Sequence, residues 1–483
     1  MRILFVSNRL PIIVERTETG WSSHAGSGGL VTALVPVLKR WGGVWIGWPG
    51  VADADGASMD KLFADFAHRE GYSLAAVPLT PEDYERFYEG FCNEIIWPLF
   101  HDLQTNCKFK PEYWTSCLKV EQAFAQVVQR TAQPDDLIWV QDYHLMGLGK
   151  ALFNRGLRNK LAFFLHIPFP PPDIFCKLPW RMEVLDGLMH YKVIGLQSQR
   201  DLKNFSDCVH KLLPGVEQRL TSRQSRMQVD GRTCDAGVFP IGIDFDEFAA
   251  AAAEPAVEQR VSELRQSYPN QQILLGVDRL DYTKGVPHRL ESFALALERF
   301  PNLHRAVTLI QVVVPSREGV SEYKDLKAEI EHQVAQINGK FTQPGWVPVH
   351  YIFRHVQRNE LLAWYRLADV ALVTSLKDGM NLVAKEYCAC QIDENGVLVL
   401  SEFAGASEQL GQWAVMVNPY DFGWTADAIQ LAVMMSPEER RPAMRKLRTN
   451  VREQNVHWWL SQCLKVCGVH LEHTPAGVPV TAL

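Results

Sequence analysis

The chain has 483 residues, 47% of them hydrophobic, and a formal net charge of −6. That length exceeds one typical domain and makes two the natural expectation, while the acidic balance argues against nonspecific binding to nucleic acid. No apolar run reaches membrane-spanning length, residues 1–7 read as a strand rather than a signal peptide, and ten cysteines without framework spacing read as reduced packing thiols of a cytoplasmic protein.

Residues 2–7 predict a buried strand, followed by Asn8-Arg9-Leu10-Pro11. After a polar loop, Gly26-Ser27-Gly28-Gly29-Leu30 opens a helix expected over 30–41. Strand, glycine-rich loop and helix suit a phosphate, because glycine lets the backbone approach and a helix start favours anions. The loop is too long for a dinucleotide fingerprint. A strand over 44–49 precedes an aromatic-rich helical region over 84–101, in which Tyr88 and Trp97 lie nine apart. Taken singly, each aromatic reads more readily as core than as ligand contact.

The next strands end in functional residue types. Residues 136–142 end in Asp142-Tyr143-His144-Leu145, and 160–166 end in His166, whose following Ile167-Pro168-Phe169-Pro170-Pro171 fixes a rigid loop. A histidine ending a buried strand beside such a loop is a better ligand contact than most. Strands over 192–197 and 237–242 follow, and a domain boundary is expected near 242–245. A second strand–helix series begins at 272–277, ending in Asp278-Arg279-Leu280-Asp281-Tyr282-Thr283-Lys284-Gly285 before a helix over 286–299. Arg279 as a fork and Lys284 as a point charge would clamp a diphosphate. The strand over 306–314 ends in Pro315-Ser316-Arg317, and the one over 346–353 leads to Arg354-His355-Val356.

The strand over 369–374 then meets Asp378-Gly379-Met380-Asn381 and a helix over 382–390. In open α/β sheets, ligands bind outside such strand ends. Asp378 and Glu386 would hold hydroxyl groups there; otherwise Asp378 merely starts the helix and Glu386 is a solvated face. Strands over 396–400 and 414–417 complete the second sheet. The stretch 436–466 reads as mostly helical, with an aromatic patch at Val456-His457-Trp458-Trp459-Leu460 that suggests a return onto the first domain. No metal site is expected: Cys388-x-Cys390 and Cys463-x3-Cys467 lack partner clusters, and Asp53-Ala54-Asp55 follows a turn.

Together these motifs resemble the retaining trehalose-6-phosphate synthases, glycosyltransferase family 20. The similarity runs from Ser7-Asn8-Arg9-Leu10-Pro11 to Val417-Asn418-Pro419. Its most specific pieces are Asp142-Tyr143-His144-Leu145, His166-Ile167-Pro168-Phe169-Pro170, Arg279-Leu280-Asp281-Tyr282-x-Lys284-Gly285, Pro315-Ser316-Arg317 and the run Asp378 to Glu386.

The resemblance implies a GT-B fold: α/β, with two Rossmann-like domains facing each other across a cleft. The expected division is an acceptor-binding domain over 1–243, a nucleotide-sugar-binding domain over 244–454, and a helix over 455–483 crossing back. The implied donor contacts are Gly28, Gly29, Arg279, Lys284, Val356, Leu382, Val383 and Glu386, the last on the ribose. His166 and Asp378 would hold hydroxyls of the transferred glucose and act with Arg279 and Lys284 in catalysis. The acceptor pocket would comprise Arg9, Tyr88, Trp97, Asp142 and Arg317, the two arginines gripping the phosphate of glucose 6-phosphate. UDP-glucose would be the donor, with no metal or other cofactor and no nucleic-acid or membrane partner; self-association into a homo-oligomer is a further expectation. One departure lies at Ser316-Arg317-Glu318-Gly319, where many relatives read Ser-Arg-Gly-Asp. The alternative activity is transfer to glycerol 3-phosphate, and a catalytically idle regulatory relative would have lost the cations and acids retained here.

Overall fold

A computed structural model describes residues 2–17, 20–25, 42–51, 56–316 and 321–469, with 31, 34, 35, 38 and 39 described singly. Apolar runs such as Ile3–Arg9, Leu137–Gln141 and Val370–Val373 are buried along nearly their whole length, as strands covered on both faces must be. Among the described residues they assemble into two separate sheets. The first has nine strands, in the spatial order Ser73–Ala76, Gly43–Trp48, Ile3–Arg9, Leu137–Gln141, Lys160–Phe164, Val193–Leu196, Arg232–Val238, Gln224–Val229 and Glu217–Leu220. Its first seven strands are parallel, and the last two form antiparallel pairs at the edge. The second has six parallel strands, ordered Val349–Phe353, Val307–Val314, Gln272–Arg279, Val370–Val373, Val397–Ser401 and Val415–Val417.

Numbered by chain position within each sheet, both begin 3-2-1-4-5-6. This is the doubly wound order, and it creates a crevice where the winding reverses. The reversal falls between Ile3–Arg9 and Leu137–Gln141 in the first sheet, and between Gln272–Arg279 and Val370–Val373 in the second. The two halves, which show no sequence repeat, therefore share a topology.

The helices Phe245–Ala252 and Pro255–Ser267 follow the first sheet, and the chain returns through Pro437–Glu453 and Val456–Val466. In the last helix Trp459 is fully buried against Trp139 and Phe164 of the first sheet. One apolar cluster accordingly runs through both units. The segment read as a polar loop holds an antiparallel hairpin, Ile12–Thr17 against Gly20–Ala25. The helical region over 84–101 is largely π-helix, Glu85–Ile96. The helix expected over 30–41, the glycine loop with Gly28 and Gly29, Asp53-Ala54-Asp55, and Arg317 with Glu318 and Gly319 lie outside the described residues or largely so.

Candidate active site

The carboxyl ends of the two sheets face one another. Gly379 packs so tightly on the far side's His166 carbonyl and Ile167 that a Cβ there would collide with backbone. Lys377 Nζ reaches Asp102 Oδ2 of the first unit at 2.6 Å, and Glu408 receives the backbone N–H groups of Gln199, at 2.8 Å, and Arg200.

On the second sheet, Arg279 ends its strand and is half exposed, its guanidinium 3.8 Å from Asp281. Lys284 follows in a short 3-10 turn before Gly285, whose φ of 64° opens the helix Val286–Arg299. The Lys284 ammonium is part-buried and bonds Asp378 Oδ2 at 2.6 Å. Asp378 does not start the following helix. That role belongs to Asn381, whose Oδ1 accepts from Ala384 N at 3.3 Å while its Nδ2 donates to Asp378 Oδ2 at 3.1 Å. Burial alone would raise the Asp378 pKa, but the Lys284 charge and these hydrogen bonds hold it below the usual carboxylate range. Beneath this loop a fully buried Arg289 joins Asp278, Gln311 and Thr374, tying three neighbouring strands together.

Glu386 is not a solvated helix face. It is part-buried and accepts from Tyr365 Oη at 2.8 Å, and burial raises its pKa despite that bond. Leu382 and Val383, at the start of its helix, and Val356, on the loop after Val349–Phe353, pack partly exposed against the same core.

On the first sheet, Asp142 adopts φ 72° and ψ 168°. That region is nearly restricted to glycine and costs about 1–3 kcal/mol elsewhere. The surroundings hold it there: its N–H donates to Phe164 O at 2.7 Å, and its Oδ1 accepts from Tyr143 N at 2.9 Å and His166 N at 3.3 Å. His166 places Nε2 3.0 Å from Gln141 Oε1, and burial pushes its pKa down to about 3. It is a neutral ring at physiological pH, suited to a hydroxyl rather than to donating a full proton.

Between these ends runs an aromatic wall, of which Tyr84, Tyr88 and His144 are partly exposed while Trp48, Tyr143 and Trp97 are buried in the core behind them. Arg9, exposed at the end of its strand, stacks over Trp48 at 4.8 Å and donates to Tyr84 Oη at 3.4 Å. The rings continue from Trp48 to Tyr84 (4.3 Å), Tyr88 (5.0 Å), His144 (5.7 Å), Tyr143 (3.9 Å) and Trp97 (5.7 Å). The second unit's Arg279 lies 5.9 Å above the Trp97 ring. An α-helix of about 3.6 residues per turn would put Tyr88 and Trp97 on opposite sides. The wider turns of a π-helix make nine residues close to two turns, so both rings join one wall.

The structure thus brings Arg9, Tyr88, Trp97, Asp142 and His166 of the first unit together with Arg279, Lys284 and Asp378 of the second, whereas Glu386 bonds Tyr365 within its own unit. Trp48, Tyr84, Tyr143 and His144 join the wall without a spacing signal in the sequence, although Tyr143 and His144 belong to the motif Asp142-Tyr143-His144-Leu145. Asn381, by contrast, has an available signal, that of a helix-capping asparagine.

The loop after Asp142 is anchored by a buried carboxyl. Glu121 accepts from Gly147 N at 2.7 Å, and burial pushes its pKa up to about 8. An acid whose folded pKa exceeds its unfolded value binds more protons when folded, so stability falls as pH rises from about 4.5 to 8. Glu121→Gln, which retains an acceptor, should therefore raise the melting temperature at pH 8 and confer little or no gain at pH 5. A melting-temperature difference independent of pH would contradict this.

The family model for glycosyltransferase family 20 matches residues 1–467. The trehalose-6-phosphate synthase of Mycolicibacterium smegmatis is 40% identical over 481 residues, spanning 98% of this chain and 93% of its own. Among solved structures, an α,α-trehalose-phosphate synthase (UDP-forming) from Burkholderia xenovorans in complex with glucose-6-phosphate superposes with a TM-score of 0.85 at 31% identity, covering 96% of this chain and 99% of that one. An E. coli relative bound with UDP-2-fluoro glucose gives a TM-score of 0.85 at 33% identity, with coverage of 96% and 99%.

Proposed function

The chain belongs to glycosyltransferase family 20, and from that membership we propose that it transfers glucose from UDP-glucose to the anomeric hydroxyl of glucose 6-phosphate, releasing UDP and trehalose 6-phosphate with retention at the donor carbon. The observation that carries the assignment is the wall from Trp48 to Trp97, flanked by Arg9 at one end and Arg279 at the other. Flat rings suit the face of a pyranose, and a cation at each end suits a phosphorylated acceptor meeting a diphosphate donor. Glycerol 3-phosphate would leave the partly exposed rings of Tyr84, Tyr88 and His144 without a partner face.

Arg9 with Arg317 binds the acceptor phosphate, Tyr88 and Trp97 hold its ring, and Asp142 holds a hydroxyl. Arg279 and Lys284 neutralise the diphosphate, Glu386 binds the ribose, and Val356, Leu382, Val383, Gly28 and Gly29 contact the donor. His166 and Asp378 hold the transferred glucose. A double-displacement route needs a carboxylate free to attack. Here Asp378 is tied to Lys284, Asp142 to two N–H groups and Glu386 to Tyr365. These commitments favour a same-face route. The acceptor hydroxyl attacks where the diphosphate leaves, the C–O bond to UDP breaks, and the hydroxyl proton passes to the departing diphosphate oxygen. Stabilising that leaving group is then the main catalytic contribution of Arg279 and Lys284.

Two fixed cations can provide the charge neutralisation that a divalent ion supplies elsewhere. Activity is therefore expected to survive chelation undiminished; abolition by chelator and recovery with magnesium or manganese would contradict a metal-free reaction. The ten cysteines are free and mostly buried, and no helix among the described residues is long and apolar enough to cross a membrane. Free, buried thiols support a cytoplasmic enzyme. Incubation with UDP-glucose and a panel of phosphorylated acceptors, with product identification, tests the assignment.

A further inference from the structure

Lys385 lies on the helix Leu382–Cys390, one residue before Glu386, and its side chain is 1% exposed. A buried ammonium is costly and is ordinarily paired with a carboxylate. Here its two partners are neutral oxygens: Ile241 O and Gln409 Oε1, each at 2.6 Å. Burial pushes its pKa down to about 7, with no carboxylate among the described residues offsetting it. A methionine would pack in such a place without that cost.

The partners are informative. Ile241 sits where the chain leaves the first unit, its own N–H donating to Gln197 Oε1 at 2.9 Å at the end of a first-sheet strand. Gln409 Nε2 donates to Gln454 Oε1 at 2.5 Å, where the chain returns. The two crossings lie side by side: Val456 N donates to Ile243 O at 2.9 Å, and a Cβ on Gly242 would strike the backbone of Gln454 and Asn455. Lys385 thus links both crossings to the helix that begins with Leu382 and Val383.

We propose that Lys385 is a positioning residue: it ties the donor-side helix to the paired crossings between the two units, so that donor occupancy and closure of the units are coupled. The inference rests on the assignment of Leu382, Val383 and Glu386 to the donor. A tie of this kind holds the helix in its binding-competent place. Without it, apparent donor affinity falls by the fraction of molecules in which the helix remains there.

The test compares wild type, Lys385→Met and Gln409→Ala as full-length proteins. Lys385→Met should melt at or above the wild-type temperature. It should raise KM for UDP-glucose about tenfold while kcat at saturation stays within about threefold. UDP should reduce the radius of gyration of wild type in X-ray scattering, and this contraction should be lost in the variant. Gln409→Ala, which keeps the lysine, should shift KM and contraction in the same direction, and decides the matter alone if Lys385→Met fails to fold. Wild-type KM and contraction in the folded variants, or UDP binding to wild type without contraction, would overturn the coupling. Failure of wild type to bind UDP at all in calorimetry would instead overturn the donor assignment beneath it.

Discussion

Arg279→Ala is expected to lower kcat by about 10²–10³ while leaving thermal stability close to wild type. The guanidinium ends its strand half exposed, 3.8 Å from Asp281 and 5.9 Å from the Trp97 ring. An ion pair so solvated contributes little to folding. Its main opposite charge arrives with the substrate and grows as the sugar–diphosphate bond breaks, so its loss is felt in the transition state. Steady-state kinetics beside a melting curve separate the two effects. A near-normal kcat in the folded variant would remove Arg279 from the catalytic machinery.

Lys284→Ala should behave differently, losing both turnover and stability. Its side chain and that of Asp378 are only 12% and 13% exposed, and they meet at 2.6 Å. Removing one partner of a buried pair leaves an uncompensated charge, which typically costs about 3–5 kcal/mol. Asp378 has its folded pKa depressed, so its contribution is fully present above the ordinary carboxylate value and is lost as pH falls below it. The stability gap between wild type and Lys284→Ala should therefore be full at pH 7 and narrow below about pH 4. Urea unfolding at both values checks this. Equal stability at pH 7 would mean that the pair is not the one holding the loop. The two cations share a motif five residues apart, yet burial assigns them unlike roles.

Much of this site was legible in the sequence because its chemistry sits at strand ends. Arg9, Asp142, His166 and Arg279 each lie at the end of a buried strand and Asp378 in the loop that follows one, and that pattern locates a parallel sheet's carboxyl edge. What was illegible depends on tertiary geometry. The partnership of Lys284 with Asp378 spans 94 positions, and no spacing rule reaches that far. The wall joining Tyr88 to Trp97 requires π-helical turns, whereas an α-helical reading sets the two rings apart. The hairpin Ile12–Thr17 with Gly20–Ala25 escaped notice because Ser22, Ser23 and His24 show no apolar alternation. Nothing in the spacing around Lys385 marks it as buried, and only the fold reveals it enclosed between the two crossings.

The acceptor is what separates this activity from transfer to glycerol 3-phosphate. The decisive measurement is kcat/KM with UDP-glucose for glucose 6-phosphate and for glycerol 3-phosphate, in wild type and in Tyr88→Ala. Glucose 6-phosphate should be preferred clearly by wild type, and Tyr88→Ala should erode that preference by removing a ring that only a pyranose can use. A wild-type preference for glycerol 3-phosphate, or a preference indifferent to Tyr88, would contradict the assignment of the wall to the sugar acceptor.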